Sequence, residues 1–344
     1  MKYKALVLAE MLNSTLLEAF SDKVEFVFDG YNLNHEVMPH DELIAKIADY
    51  DILISEYDTI GRDVFDNAEK LKLIVCCRGG VKSVIDLEAA KEKGVIICNN
   101  AGRNANAVAD IVMGYIICMT RNIVNSTNDI FNKVITSNVS TKPGEYQDTI
   151  WGLNNDSPFI KYRGKSINYM TLGLVGFGCV GKLVAKRASA FDLKVIAYDP
   201  YVDASKVPEN VELVDFDTLL EQSDIISLHC VVTPETKNMF NAATIAKMKQ
   251  GAYLINSARG GLLVEADLVD ALNSGKLSGA ALDVTQQEPI PSNSNLLTAK
   301  NLIITPHIAG SSYDVQVCGT RMVCEALEDW LNGVKPRNCV VYNK

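Results

Sequence analysis

Three side chains in the later part of the sequence, Arg259, Glu288 and His307, have the types that reduction of a carbonyl compound requires. A histidine imidazole gives and takes a proton near neutral pH. A carboxylate beside it fixes the ring tautomer and favours the imidazolium, while a planar guanidinium grips a substrate carboxylate and polarises a nearby carbonyl. We therefore predict that His307 is the acid/base, that Glu288 is its partner and that Arg259 binds the substrate.

A glycine-rich segment offers a site for the hydride donor. The predicted strand Thr171–Val175 runs into a G-x-G-x-x-G motif, and an amphipathic stretch then leads to a second strand that ends at Asp199. In this setting the glycines permit a tight turn, close approach of a pyrophosphate and close packing of helix on strand. Asp199 accepts hydrogen bonds from ribose hydroxyls and repels a 2′-phosphate, which favours NAD over NADP. The motif consists of Gly176, Phe177, Gly178, Cys179, Val180 and Gly181.

The composition argues against several classes of protein. The chain has 344 residues, of which 48% are apolar, so it can build the cores of two domains and is not disordered. Its net charge of -9 argues against a nucleic-acid-binding or membrane-binding surface. We expect a small anionic substrate instead, which a few local cations would capture.

The cysteines indicate the redox environment. Nine of them are scattered along the chain without metal-ligand spacing, so no metal site is predicted. An odd number of cysteines, in a long chain whose first segment reads as a strand and not as an export signal, predicts reduced thiols and a cytoplasmic location. No apolar run approaches the ~20 residues of a membrane span.

Short apolar runs alternate with helical patterns along the whole chain, which is typical of parallel α/β sheets. Strands of a first set are predicted at Ala5–Leu8, Val24–Phe28, Ile52–Ser55, Leu73–Cys76 and Val95–Cys98. Strands of a second set are predicted at Thr171–Val175, Lys194–Tyr198, Ile225–His229, Ala252–Asn256, Gly279–Leu282 and Leu302–Thr305. The candidate residues Arg259, Asp283 and His307 follow strands of the second set, where open α/β sheets bind their ligands.

The helical patterns predict how the chain divides. A buried helix is expected at 104–121, a loop-rich connection at 132–169 and a last helix at 314–331. The first set of strands has few helices to cover it, so the last helix is expected to return to it. The predicted domains are 1–103 together with 308–344, and 104–307.

The order of these motifs resembles the D-isomer-specific 2-hydroxyacid dehydrogenase family, and in particular its phosphoglycerate-dehydrogenase-like subgroup. The resemblance covers nearly the whole chain. It is carried by the glycine motif, Asp199-Pro200, Arg78-Gly79-Gly80, Val108-Ala109-Asp110, Thr233-Pro234-Glu235-Thr236, Glu288-Pro289 and the runs 254–261, 279–284 and 305–310. It implies an α/β fold with two doubly wound parallel-sheet domains, in which a Rossmann NAD-binding domain is inserted in a discontinuous flavodoxin-like substrate domain. It also implies a homodimer.

The same resemblance implies an NAD-dependent oxidoreductase acting on a small 2-hydroxy or 2-keto acid, such as glycerate, 3-phosphoglycerate or hydroxypyruvate. It assigns Arg259, Glu288 and His307 the roles predicted above, and it implies that Asp283 binds the carboxamide group of the nicotinamide. The residues implied to bind the substrate are Arg78, Gly79, Gly80, Val81 and Arg259. Those implied to contact the cofactor, besides the glycine motif and Asp199, are Val231, Thr236, Ala258, Asp283, His307 and Gly310.

The chain departs from the family pattern at several places. Val231 stands where relatives often have a proline, and Asp110 stands where many have glutamate. Arg78, Lys82 and Arg103 either bind a phosphate or second polar group of the substrate or are solvated loop cations. The remaining histidines, His35, His40 and His229, are interpreted as structural or solvated, although His229 ends a strand near the predicted cofactor site.

Two other functions are compatible with parts of the pattern. An NAD(H)-sensing, partner-binding protein of the transcriptional co-repressor type shares the fold and keeps the catalytic trio. A formate dehydrogenase is disfavoured by Glu288, because that branch carries glutamine at this position. The acidic composition favours the metabolic enzyme.

Overall fold

The structure is a computed structural model that describes residues 2–135 and 157–342. The chain forms two compact units, the first from Met1–Asn104 and Ser311–Lys344 and the second from Ala105–Gly310. The units divide at 104/105 and 310/311, one and three residues after the expected boundaries at 103/104 and 307/308. Residues 308–310 belong to the second unit because the backbone N–H groups of Ile308 and Ala309 bond the Asp283 carboxylate and Ala309 lies in that unit's core.

The first unit contains a six-stranded sheet in the order β13-β5-β4-β3-β1-β2. Its strands are β1 (Tyr3–Val7), β2 (Val24–Phe28), β3 (Ile52–Ser55), β4 (Leu73–Cys76), β5 (Ile96–Asn99) and β13 (Cys339–Val341). Strands β3 and β4 are buried along their whole length, as expected for parallel strands covered on both faces. The order 2-1-3-4-5 of the first five strands is flavodoxin-like. The unpredicted strand β13 pairs antiparallel with β5, so this sheet is not wholly parallel.

Five α-helices flank this sheet. They are α1 (Tyr31–Asn34), α2 (His40–Ile47), α3 (Arg62–Asp66), α4 (Leu87–Glu92) and α12 (Tyr313–Leu331). The last of them carries Val323, Ala326 and Leu327, which are buried in one cluster with Ile54 and Val75 of the sheet. The prediction that the C-terminal helix returns to cover the first sheet is thus confirmed.

The second unit contains a seven-stranded sheet in the order β12-β11-β10-β9-β6-β7-β8. Its strands are β6 (Thr171–Val175), β7 (Lys194–Tyr198), β8 (Val211–Leu213), β9 (Ile225–Leu228), β10 (Ala252–Asn256), β11 (Leu277–Leu282) and β12 (Leu302–Ile304). Counted within the unit, this is the Rossmann order 3-2-1-4-5-6 with a seventh strand at one edge. The connectivity reverses between β6 and β9, which is where such sheets bind ligands. Strand β8 was not predicted from the sequence.

Helices cover both faces of the second sheet. They are α5 (Ala105–Thr120), α6 (Ile123–Phe131), α7 (Pro158–Lys161), α8 (Cys179–Ala190), α9 (Phe216–Gln222), α10 (Ala242–Lys247) and α11 (Glu265–Asn273). Helix α5 is largely buried, as predicted, and its Asp110 accepts a hydrogen bond from Arg187 of α8 at 2.6 Å. The loop-rich connection expected at 132–169 includes α7 and a short 3-10 helix, Ile167–Tyr169, and its part at 136–156 lies outside the described residues.

No single helix in the described ranges is long and apolar enough to cross a bilayer. Helices α5 and α6 reach the required length and composition only as a pair, and the two are bent by 68°.

Candidate active site

The glycine motif lies at the point where the second sheet reverses its connectivity. Gly176 directly follows β6 with a φ of +96°, and a Cβ there would lie 2.8 Å from the backbone nitrogen of Cys230, which follows β9. A Cβ on Gly181 would lie 2.4 Å from the Gly176 carbonyl oxygen, so helix α8 packs directly against the turn. A side chain at Gly181 would therefore push the helix away from the turn, and one at Gly176 would clash with the backbone that follows β9.

The middle glycine of the motif leaves space for a ligand. Apart from Gly178 and its two chain neighbours, no atom of the described residues lies within 4 Å of where a Cβ on Gly178 would be, although Gly178 immediately precedes helix α8. The first N–H groups of a helix have no intrahelical acceptor, and the helix dipole favours an anion there. Helix and open glycine together fit the pyrophosphate of a dinucleotide.

Asp199 follows β7 and is oriented by the backbone around it. Its Oδ2 accepts a hydrogen bond from Phe177 N at 2.8 Å, and its Oδ1 accepts one from Tyr201 N at 2.9 Å. Each carboxylate oxygen keeps a further lone pair. The side chain is therefore held beside the glycine turn with acceptors to spare, which fits a ribose diol.

His307 and Glu288 are in direct contact. His307 Nδ1 lies 2.8 Å from Glu288 Oε2, and Glu288 Oε1 accepts from Thr285 N at 3.2 Å. Since an ionised carboxylate only accepts, Nδ1 is the donor and carries the proton. The side chains remain partly solvent-accessible, at 53% for His307 and 40% for Glu288, so a substrate can reach the ring.

The loop that carries His307 is built around Asp283. This carboxylate, only 2% exposed, accepts hydrogen bonds from the Thr305 hydroxyl at 2.6 Å and from Ile308 N and Ala309 N at 2.8 Å each. His307 N also donates to the Asp283 carbonyl oxygen at 2.8 Å, with a backbone φ of +56°. The buried charge is satisfied by the loop, and it holds the loop in a conformation that a non-glycine residue rarely adopts. The nicotinamide contact implied for Asp283 stays a prediction.

One residue that sequence reasoning missed joins this network. The phenol of Tyr115, on helix α5, is hydrogen-bonded to the Thr305 hydroxyl. The two residues are 190 positions apart. In the sequence, Tyr115 is one of several apolar positions that predict a buried helix. No local signal in the sequence could have identified it.

Arg259 lies at the carboxyl end of β10 on a turn organised by Asn256. The Asn256 amide, fully buried, donates to Arg259 O at 2.8 Å and accepts from Ala258 N at 3.1 Å. The Arg259 guanidinium donates to Ala258 O at 2.6 Å and makes no ion pair within the described ranges. Most of its five donors therefore stay available to an anion. The next residue, Gly260, passes so close to Thr285 that a Cβ would lie 2.1 Å from Thr285 O, which ties the Arg259 turn to the loop of Glu288.

The remaining implied cofactor contacts also lie in the second unit. Val231 is 70% exposed, so the apolar surface expected in place of the family's proline is open to a ligand. The hydroxyl of Thr236 donates to Val231 O at 2.7 Å, which shapes this turn. Ala258 precedes Arg259, and Gly310 ends the unit three residues after His307.

The implied substrate residues of the first unit follow β4. The Asn99 side chain donates to Gly79 O at 2.6 Å, and since C=O and N–H of a trans peptide point in opposite directions, Gly80 N–H points away from Asn99. Among the described residues, no acceptor is found for the N–H groups of Gly79, Gly80 and Val81. They are thus available to a carboxylate.

The three cations left open by the sequence differ from one another. Arg103 is bonded to Glu56, which is only 4% exposed, and the Arg103 side chain itself is 16% exposed, so it is a largely buried ion-pair residue and not a solvated cation. The Arg78 guanidinium lies over the Tyr57 ring, 5.9 Å from its centroid. Lys82 is exposed.

The other histidines have structural surroundings. His40 Nε2 lies 2.6 Å from Asp63 Oδ2 on the surface of the first unit, and His35 packs its ring edge-on against Tyr31. His229 has a buried Nε2 without a partner among the described residues, and burial lowers the pKa of His229 to about 4. His229 is therefore neutral at physiological pH.

Comparison with known proteins agrees with this geometry. The family model described as D-isomer specific 2-hydroxyacid dehydrogenase, NAD binding domain, matches residues 135–309. The D-3-phosphoglycerate dehydrogenase of Methanocaldococcus jannaschii is 38% identical over 304 residues, which is 87% of this chain and 53% of that protein. The hydroxypyruvate reductase of Blautia hydrogenotrophica is 35% identical over 300 residues, covering 87% of this chain and 88% of the relative.

Solved structures show the same fold. The apo D-mandelate dehydrogenase of Rhodotorula graminis superposes with a TM-score of 0.81 at 24% identity, covering 100% of this chain and 99% of that one. At this identity the likeness speaks for the fold alone. From the matched family model and the relatives, the chain belongs to the D-isomer specific 2-hydroxyacid dehydrogenase family and is an NAD-dependent oxidoreductase.

Proposed function

We propose that the protein reduces a small 2-keto acid of the hydroxypyruvate type with NADH, and that the reverse reaction oxidises the corresponding D-2-hydroxy acid. The observation that carries this proposal is the contact of 2.8 Å between His307 Nδ1 and Glu288 Oε2. It places the carboxylate on one ring nitrogen and leaves Nε2 as the group that exchanges a proton with substrate.

Each residue has a defined part in this reaction. When bound, the nicotinamide cofactor supplies the hydride. His307 Nε2 donates a proton to the keto oxygen, where negative charge develops, and Glu288 stabilises the imidazolium before the transfer. Arg259 binds the substrate carboxylate through its planar fork and polarises the carbonyl. In the oxidation direction, His307 removes the hydroxyl proton instead.

A short substrate is supported by the backbone groups of the first unit. The N–H groups of Gly79, Gly80 and Val81 supply donors for a carboxylate, and Arg78 follows β4 directly before them. Relatives are named hydroxypyruvate reductase, glyoxylate reductase and glycerate dehydrogenase, and others D-3-phosphoglycerate dehydrogenase. We assign Arg78, the cation next to these N–H groups, to a polar group on the third carbon of the substrate, so glycerate and 3-phosphoglycerate are the hydroxy acids proposed.

A homodimer in the cytoplasm is part of the proposal. Helix α6 has no buried residue, and it exposes Ile123, Ile130 and Phe131 at 42%, 54% and 78%. Large apolar side chains grouped on one short helix are typical of a surface that a partner covers, and a two-fold pair is the commonest assembly. All nine cysteines are free thiols, as suits a reducing compartment. Light scattering of the purified protein tests the dimer.

A panel of keto acids with NADH tests the reaction. Hydroxypyruvate, phosphohydroxypyruvate, glyoxylate, pyruvate and a branched-chain keto acid are assayed at equal concentration by loss of NADH absorbance. Turnover of hydroxypyruvate or its phosphate above the others supports the proposal. NADH binding without turnover of any acid would overturn it in favour of an NAD(H)-sensing protein.

A further inference from the structure

We propose that Tyr115 is a positioning residue for the reaction, and that it acts through Thr305 and Asp283 on the loop that carries His307. The inference rests on the proposed function for its meaning, but the hydrogen-bond chain itself lies wholly within the second unit. Helix α5, which carries Tyr115, begins at the first residue of that unit.

The direction of every hydrogen bond in the chain follows from Asp283. The Asp283 carboxylate can only accept, so the single hydroxyl proton of Thr305 is donated to Asp283 Oδ1 at 2.6 Å. The Thr305 oxygen therefore has no proton left for Tyr115, and the phenol must be the donor in that contact. The chain runs in one sense, from Tyr115 to Thr305 to Asp283.

The two ends of this hydrogen-bond chain are buried, and Thr305 between them is partly exposed. Tyr115 is 6% exposed and Asp283 2% exposed, and burial raises the pKa of Tyr115 to about 12, so the phenol keeps its proton at working pH. A hydrogen bond donated to Thr305 polarises its hydroxyl and strengthens the bond that it makes to the carboxylate. Because Tyr115 and Asp283 are buried, water replaces a missing partner poorly at these two residues.

Asp283 connects this hydrogen-bond chain to the loop that carries His307. The carboxylate oxygen that accepts from Thr305 also accepts from Ile308 N at 2.8 Å, and the other oxygen accepts from Ala309 N. These residues directly follow His307, whose own backbone sits at a positive φ. A weakened hold on Asp283 would let the loop relax and change where the imidazole points. Because proton transfer depends steeply on geometry, a small displacement of the ring lowers the rate.

Matched substitutions separate positioning from packing. Tyr115→Phe removes only the hydroxyl and keeps the ring in the core. The control is Tyr253→Phe, because Tyr253 is a buried tyrosine (8% exposed) of the same core cluster and is no part of this hydrogen-bond chain. Thr305→Val removes the middle residue's hydroxyl and so interrupts the hydrogen-bond chain. Thr305→Ser keeps a hydroxyl at this position and should therefore behave like the parent.

The kinetic readout is kcat together with its solvent isotope effect. Tyr115→Phe and Thr305→Val are expected to lower kcat roughly tenfold, which corresponds to ~1.4 kcal/mol on the barrier. The KM for the keto acid and the Kd for NADH are expected to stay near parent values, because neither residue is among the implied substrate or cofactor contacts. The isotope effect on kcat rises because proton transfer by a displaced His307 becomes slower relative to other steps. Thr305→Ser and Tyr253→Phe are expected to keep the parent kcat and the parent isotope effect. The double variant Tyr115→Phe/Thr305→Val is expected to have the same kcat as Thr305→Val alone.

A second readout does not depend on activity. The chain has four histidines, so the His307 ring signals in an NMR spectrum are assigned by their loss in His307→Gln. Tyr115→Phe is expected to shift the His307 ring signals, whereas Tyr253→Phe leaves them in place. The proposal is overturned if Tyr115→Phe keeps parent kcat and isotope effect, if Tyr253→Phe changes them equally, or if the His307 signals do not move. Absence of turnover by the unmutated protein would reject the proposed function, while the NMR shift would still decide the role of Tyr115.

Discussion

Glu288 Oε2 and His307 Nδ1 are 2.8 Å apart, and each residue is held in this contact by a different backbone feature. Glu288 is fixed by Thr285 N, and His307 by the hydrogen bonds that its loop makes to Asp283. The contact requires a proton on Nδ1, and in the proposed reaction Nε2 is the ring nitrogen that exchanges a proton with the substrate.

Glu288→Gln is predicted to lower kcat by roughly ten- to a hundredfold, because an amide carries no charge to stabilise the imidazolium that donates the proton and no longer fixes the ring tautomer as an acceptor-only group does. The Kd for NADH should stay at the parent value. Turnover with saturating keto acid and NADH measures the effect. A kcat equal to that of the parent would show that this contact does not serve proton transfer.

Arg259→Lys is predicted to raise the KM for the keto acid by roughly ten- to a hundredfold, because an ammonium cannot bind a carboxylate through two parallel donors. The Kd for NADH should not change. The exposed Arg62, which pairs with Glu92 in the first unit, provides the control substitution Arg62→Lys. A parent-like KM in Arg259→Lys would mean that this side chain does not hold the substrate carboxylate.

Asp199→Ala is predicted to weaken the preference for NADH over NADPH, since the charge that repels a 2′-phosphate is removed. The substitution also frees Phe177 N and Tyr201 N, so binding of both cofactors is expected to weaken. Asp199→Asn keeps an acceptor oxygen and removes the charge, which separates the two effects. The ratio of kcat/KM for the two cofactors is the measurement. Equal use of both by the unmutated protein would refute the assignment.

His229 is predicted to reduce stability as the pH falls. Its pKa is about 4 in the folded chain, against 6.5 as the ordinary value, so the unfolded state binds more protons between these limits. The free energy of unfolding therefore decreases from pH 6.5 toward pH 4, by up to about 3 kcal/mol from this group. His229→Phe removes the titration and keeps a ring of similar size. Urea titrations at several pH values compare the two proteins, and an unchanged pH slope in the variant would contradict a neutral, buried His229.

The positions of the glycine turn, of Asp199 and of the polar residues that follow strands of the second sheet were predictable because their signals are local. The glycine spacing, the acid at the end of the next strand, and polar residues directly after strands all lie within short windows around Gly176, Asp199, Arg259 and His307. The regular alternation of strands and helices likewise predicted both sheets. Here local sequence and tertiary structure favour the same arrangement.

Contacts between distant positions were not predictable. Tyr115 meets Thr305 across 190 positions, and Arg103 pairs with Glu56 across 47. The short strands β8 and β13 have three residues each, too few for a periodic pattern, and they form only because a neighbouring strand offers hydrogen bonds. The boundary at 307/308 was misplaced because Asp283, a residue far back in the chain, holds residues 308 and 309 in the second unit.

The most direct test of the account is the turnover of His307→Ala beside that of His35→Ala, a substitution at a solvent-accessible histidine of the first unit. With saturating keto acid and NADH, loss of the proton donor is predicted to lower kcat by roughly 10²–10⁴-fold. NADH binding, followed by fluorescence, should remain that of the parent in both variants. Parent-like turnover by His307→Ala would contradict the central claim that this imidazole protonates the substrate.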